Sequence, residues 1–125
     1  MTAQDQIVKN LGDFNTLKVY NGLTVELIKS NKDRIEINGS QAADVIVKNI
    51  DGVLKIKLKL PEAFKFEDVN ISLYYANEID VLDANEGSKI FGKKNLEQVH
   101  LELKTQEGAS IDVLVKTKHL IVKSV

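Results

Sequence analysis

Few side chains of this 125-residue chain could do chemistry. His100 and His119 lie 19 residues apart, a spacing that could bring them to neighbouring turns of a repeating fold, where zinc would ask for a further ligand such as Glu102 or Asp112. No HExxH or comparable local spacing accompanies them, and His100 stands in an outward strand position among charged neighbours. The pair therefore reads as solvated surface histidines, and no metal or cofactor is expected. Asp80, Asp83 and Glu86 are close enough in sequence to be considered as the two acids that glycoside hydrolysis needs around one bond. There is no Trp and no second acid cluster from which to build a sugar platform, and strand alternation places acids on solvated faces routinely. The reading is non-catalytic, with no catalytic residue assigned; the alternative is a polysaccharide-active enzyme, a glycoside hydrolase or lyase.

Ser88 and Ser110 sit beside glycines, but the G-x-S-x-G pattern of a nucleophile elbow is absent, so both read as turn residues. Lys55, Lys57 and Lys59 form a basic row that could meet a phosphate chain. The preferred reading is that they keep an exposed strand from pairing with another molecule. Tyr20 and Tyr74 could offer rings to a glycan or a protein partner, whereas Tyr75 alternates with the buried set.

The elements that must position these groups are strands. Val, Ile and Leu dominate, there is one Pro, and apolar residues return at every second position rather than at helical spacing, so the class is all-β. Ile7-Val8 opens a short strand. Phe14, Leu17 and Val19 lead to an Asn21-Gly22 pair suited to a type I′ turn, with Leu23, Val25 and Leu27 on the returning strand. After the polar turn Ser30 to Asp33, Ile35 and Ile37 alternate with Arg34 and Glu36. Ser40 could cap one helical turn over residues 40–44. Val45 to Ile50 and Val53 to Leu60 flank Asp51-Gly52 as the clearest hairpin, with Leu54, Ile56, Leu58 and Leu60 inward. Pro61 ends it, and Phe64 and Phe66 in the charged connection are expected to cover one end of the core. Val69, Ile71, Leu73 and Tyr75 alternate next, and later Val99, Leu101 and Leu103, then Ile111, Val113 and Val115, then Leu120 and Val122.

Glu86-Gly87-Ser88-Lys89-Ile90 recurs 21 residues later as Glu107-Gly108-Ala109-Ser110-Ile111. Strands broken at fixed glycines with a period near 20 residues are what a stacked β-solenoid needs, because each rung buries its inward face only against its neighbours. One domain over residues 1–125 is expected, large enough for a single core. The small polar start resembles what remains after signal-peptide removal, with a Met added ahead of Thr2, and the uncapped end at Val125 suggests a chain that continues. An open last strand would pair through Leu120 and Val122 with a second copy, giving a homodimer. Seventeen basic and eighteen acidic residues remove the general electrostatic argument for nucleic acid or an anionic membrane and leave only a local patch. With no Cys, there is neither a disulfide frame nor a thiolate site.

In order, these features resemble the auto-transporter adhesin, head GIN domain family of exported bacterial proteins, found mainly in Bacteroidetes. The matching segments are Leu11-Gly12-Asp13-Phe14 to Val19, then Asn21 to Leu27, then the hairpin arm Asp51-Gly52-Val53-Leu54-Lys55-Ile56-Lys57-Leu58-Lys59. Leu82 to Ile90 and Leu103 to Ile111 are similar to the family's Gly-Ala-Ser repeats. The resemblance covers nearly the whole chain. It implies a right-handed parallel β-helix-like solenoid with an N-terminal hairpin-rich part, export to the periplasm, outer-membrane surface or medium, and no established activity. The resulting expectation is a non-catalytic binding or structural module of the cell envelope, with an envelope protein or glycan as partner, no nucleic acid and no membrane insertion.

Overall fold

The computed structural model of the chain describes residues 6–63 and 69–125. In chain order the strands are β1 (Gln6–Asn10), β2 (Thr16–Val19), β3 (Thr24–Lys29), β4 (Arg34–Asn38), β5 (Val45–Ile50), β6 (Val53–Leu58), β7 (Asn70–Tyr75), β8 (Val81–Ala84), β9 (Lys89–Gly92), β10 (Leu96–Thr105), β11 (Ser110–Asp112) and β12 (Val115–Ser124). Helix is confined, among the described residues, to single 3-10 turns at Ala42–Asp44 and Pro61–Ala63. The strands form two six-stranded sheets, ordered β1-β4-β7-β3-β9-β11 and β12-β10-β8-β2-β6-β5.

Period-2 alternation decides which face of each strand turns inward. Val25, Ile35, Ile37, Leu73 and Ile90 of the first sheet join Leu17, Val19, Leu54, Ile56, Leu82 and Leu101 of the second in one hydrophobic cluster. Of the core set expected from the sequence, Leu54, Ile56, Leu58, Ile71, Leu73 and Leu101 are buried in this cluster, while Val69 and Leu103 pack against it half-buried.

The two sheets communicate through three stacked corners. Asn21-Gly22, Glu86-Gly87 and Glu107-Gly108 all have positive φ, from 54° to 77°. Each pair is closed by a bond from the fourth residue's N–H to the first residue's carbonyl: Leu23 to Tyr20, Ser88 to Asn85 and Ala109 to Gln106. Positive φ at both central residues is the type I′ requirement, for which Gly at the second position has no steric penalty. Backbone bonds of 2.9 Å join the corners, from Lys89 to Leu23, from Gly87 to Glu107 and from Ser110 to Ser88. Gly87 and Gly108 thus occupy equivalent turns, as their spacing predicts. The Asn21-Gly22 turn is a third copy and not the hairpin it resembles, since β2 and β3 lie in different sheets.

The expected parallel β-helix with its hairpin-rich N-terminal part is met in its coarse form. The architecture is all-β, in two mixed sheets that remain open. Parallel pairing runs through β6-β2-β8-β10-β12 and through β7-β3-β9-β11, while β5, β4 and β1 add antiparallel strands at one end. The β5-β6 hairpin is present, with Asp51 and Gly52 at positive φ. β3 and β4 make no hairpin because β7 lies between them.

Several local expectations need correction. β6 ends at Leu58, and Leu60 is 55% exposed rather than inward, because the chain turns into the Pro61–Ala63 helical turn. Ser40 does not cap the first 3-10 turn; Gln41 holds that position and makes no side-chain cap bond. Val99 is 56% exposed, and its expected inward place is taken by Gln98. Alternation breaks there, with Val99 and His100 both exposed between buried Gln98 and Leu101, at the position where Val99 and Lys118 are left out of the β10-β12 pairing. Leu120 and Val122 pair in register with Leu101 and Leu103, but no described strand flanks the far side of β12, so both are exposed. Phe64 and Phe66 lie outside the described residues.

Candidate functional site

The groups singled out for chemistry do not assemble into a catalytic centre. Asp83 is buried on β8, and its Oδ1 accepts a 3.0 Å bond from the Asn85 amide. Asp80 lies half-buried in the preceding link, where its backbone N–H donates to Asn15 and its carbonyl accepts from Glu102. Glu86 occupies the exposed corner. Ser88 has no exposure; its hydroxyl donates to the Val19 carbonyl at 3.0 Å and accepts from the Asn85 N–H at 2.9 Å. Ser110 is exposed at the start of β11. Each serine therefore serves the turn or strand it sits in.

The histidines are brought together. His100 and His119 are direct partners in the parallel β10-β12 ladder, and both are exposed. Glu102 follows on β10, held by Lys104 at 4.0 Å and Lys123 at 3.7 Å, whereas Asp112 belongs to the other sheet. No cluster of three or more His, Cys, Asp or Glu side chains suited to a metal occurs among the described residues.

The most distinctive surface is the outer face of the second sheet. Register places Lys48 beside Lys55, Lys55 beside Lys18, Lys18 beside Asp83, Asp83 beside Lys104 and Lys104 beside Lys123. A row of side chains thus crosses all six strands, five of them lysines, at the inter-strand spacing of about 4.8 Å. Like charges directly opposite one another destabilise a sheet. Only Asp83, 4% exposed between Lys18 and Lys104, interrupts the run. Protection of an edge does not account for Lys55 and Lys57, because β6 is an interior strand between β2 and β5; within the row only Lys48 on β5 and Lys123 on β12 stand at sheet edges. Among the described residues Lys18, Lys48, Lys55 and Lys57 make no ion pair. They border a hollow of about 450 Å³, shared with Ile50, Asp51 and Val53. Lys55 and Lys57 also border a second hollow, of about 280 Å³, with Tyr20, Asn21 and Glu86. Burial first, then the nearby charges of Asp83 and Glu86, raise the Tyr20 phenol above its ordinary value.

A groove of about 400 Å³ at the ends of β3, β7 and β9 is lined by Leu27, Ile28, Tyr75 and Leu96 with Lys29, Lys93, Lys94 and Glu26. Two of its three cations already have partners. Lys29 donates to the Ala76 carbonyl and stands 5.2 Å from the centroid of the Tyr75 ring, and Lys93 pairs with Glu26 at 3.7 Å. Arg34 stacks 4.2 Å from the centroid of the half-buried Tyr74 ring, so of the two tyrosines open to a partner, Tyr20 alone sits beside uncommitted cations.

Sequence reasoning found Lys55, Lys57 and Tyr20 but missed Lys48, Lys18, Lys104 and Lys123, which join them only through strand register. Isolated lysines at outward positions carry no signal until the pairing is known.

Two open mixed sheets around one hydrophobic core, with a row of lysines across the outer face of the second, define an all-β protein. The chain matches the family described as "Putative auto-transporter adhesin, head GIN domain" over residues 13–125, and it belongs to that family. Its fold is similar to that of a "putative adhesin" from Bacteroides fragilis, with a TM-score of 0.85 at 14% identity, covering 100% of this chain and 60% of that one. A "putative adhesin" from Parabacteroides merdae has a TM-score of 0.77 at 15% identity, covering 98% of this chain and 52% of that one. A "putative lipid binding protein" from Parabacteroides distasonis has a TM-score of 0.74 at 12% identity, covering 94% of this chain and 53% of that one. The chain thus spans little more than half the length of these structures. No curated protein matches it. Among the described residues no helix is long and apolar enough to cross a membrane.

Proposed function

We propose that this chain is a non-catalytic binding module of adhesin-head type, exported to the cell envelope, whose contact surface is the outer face of the second sheet and whose ligand is an anionic glycan. The lysine row is the observation that carries this reading. Lys48, Lys55 and Lys18 stand side by side on three adjacent strands with no ion pair among the described residues, so they repel one another in the free protein, and carboxylate or sulfate groups would relieve that repulsion. Tyr20 supplies a ring beside Lys55 and Lys57 on which a sugar face could stack, with Ile50 and Val53 as apolar floor at the other end. Net charge does not oppose this, since the chain's −1 is a sum over both sheets and the row is local. In the same reading, the parallel pairings are the rungs of a right-handed β-helix-like stack, and the adhesin descriptions of the similar structures support an envelope location.

The test is binding of a sulfated and a carboxylated polysaccharide to the wild type and to a Lys18→Ser, Lys55→Ser, Lys57→Ser variant, with neutral dextran and a single-stranded oligonucleotide as controls. The expected result is glycan binding that weakens with salt and falls by tenfold or more in the variant, as roughly the loss of three charge contacts implies. Equal affinity for the oligonucleotide, or an unchanged variant, would overturn the glycan reading. The exposed β12 edge also fits a homodimer through that strand, which sedimentation would show as a dimer that Val122→Lys converts to monomer; a monomeric wild type at high concentration removes the dimer without touching the glycan site.

A further inference from the structure

We infer that His100 and His119 form a two-imidazole site for a divalent first-row transition ion, with Cu²⁺ the preferred occupant. The two residues are the chain's only histidines, and they are direct register partners on adjacent parallel strands. Side chains at partnered positions leave the same face side by side, about 4.8 Å apart at the backbone, which suits two nitrogen donors on one ion with water completing the coordination.

The backbone beneath them is fixed in the same way on both strands. On β10 the Gln98 amide, nearly buried, donates to the His100 carbonyl at 2.6 Å and to the Ile79 carbonyl at 2.7 Å. On β12 the Thr117 hydroxyl, at the register position that matches Gln98, reaches the Val99 carbonyl at 2.8 Å and the His119 carbonyl at 3.3 Å. The backbone carbonyl of each histidine is thus held by the side chain two residues before it, next to the one position, Val99 with Lys118, that is left out of the pairing. These bonds fix the backbone from which the two imidazoles project, and with it the spacing of their attachment points, before an ion arrives. Glu102 is not counted as a donor, because Lys104 and Lys123 already engage its carboxylate. Two imidazoles without a third protein ligand favour the ion with the greatest affinity for nitrogen, which by the usual order of divalent ions is copper ahead of nickel and zinc.

Titration of the untagged chain with CuSO₄, followed by calorimetry and by loss of the histidine ring signals in proton NMR, tests the site. The expected result is one ion per chain at micromolar affinity, in the order Cu²⁺ above Ni²⁺ and Zn²⁺, with both histidines' signals lost together. His100→Asn and His119→Asn should each weaken binding by roughly ten- to a hundredfold, while thermal unfolding reports that both variants remain folded. Binding that survives both substitutions, a signal lost from one histidine only, or no binding by the folded wild type would overturn the inference.

Discussion

Ser88 and Ser110 look alike in the sequence, each close behind a turn glycine, yet the stacked corners align Ser88 with Ala109 and leave Ser110 on the following strand. Ser88 is the one that matters to stability, since its buried hydroxyl links Asn85 to Val19 across two rungs. Ser88→Ala should cost about 1–3 kcal/mol by leaving buried partners unmet, while Ser110→Ala should stay within about 0.5 kcal/mol of wild type; urea unfolding of the two variants checks the contrast. Tyrosine ionisation gives a second residue-scale prediction. Burial raises the phenols of Tyr20 and Tyr75 above the ordinary value of 10.0, with Asp83 and Glu86 adding to the effect at Tyr20. A folded-state value above the unfolded one means the folded chain holds the proton longer, so this contribution to stability is complete below pH 10 and is lost as pH rises through the folded values. Unfolding free energy should therefore decline above about pH 10, and the decline should be shallower in Tyr20→Phe; a slope unchanged by that substitution would contradict the assignment. Neither feature was legible in the sequence, because a serine's role depends on which rung lies beside it and a phenol's on what covers it.

Among the elements, the corners carry the clearest local rule. Gly87 and Gly108 have φ of 72° and 77°, and a Cβ at either would meet nothing within 4 Å, so substitution there probes backbone strain alone. Gly87→Ala and Gly108→Ala should each lower stability by about 1 kcal/mol. Because Gly87 bonds to Glu107 of the next corner, the double variant should depart from additivity, which a double-mutant cycle in urea would measure. These two glycines were readable from their 21-residue repeat. The Asn21-Gly22 corner was misread as a hairpin because turn chemistry fixes φ but not which strands the turn joins. Strand phase failed at Gln98 for a related reason: simple alternation has no way to anticipate two successive exposed residues, and here a buried amide with two carbonyl partners replaces an apolar side chain.

For the whole molecule, alternation was enough to give the class and most of the core, since one buried face per strand is what period-2 patterning encodes. It was not enough to give strand order, and the lysine face exists only through that order. The same separation between core and surface should hold in stability. Leu101, with no exposure, should cost about 2–5 kcal/mol on truncation to Ala, whereas Lys57→Ala should change stability little. The central claim, that the outer face of the second sheet is the contact surface, is tested most directly by lysine acetylation footprinting in the presence of a sulfated polysaccharide, read by mass spectrometry. Protection of Lys18, Lys48, Lys55 and Lys57 with Lys29, Lys93 and Lys94 still reactive is the predicted result; protection of the groove lysines instead, or of none, would contradict it.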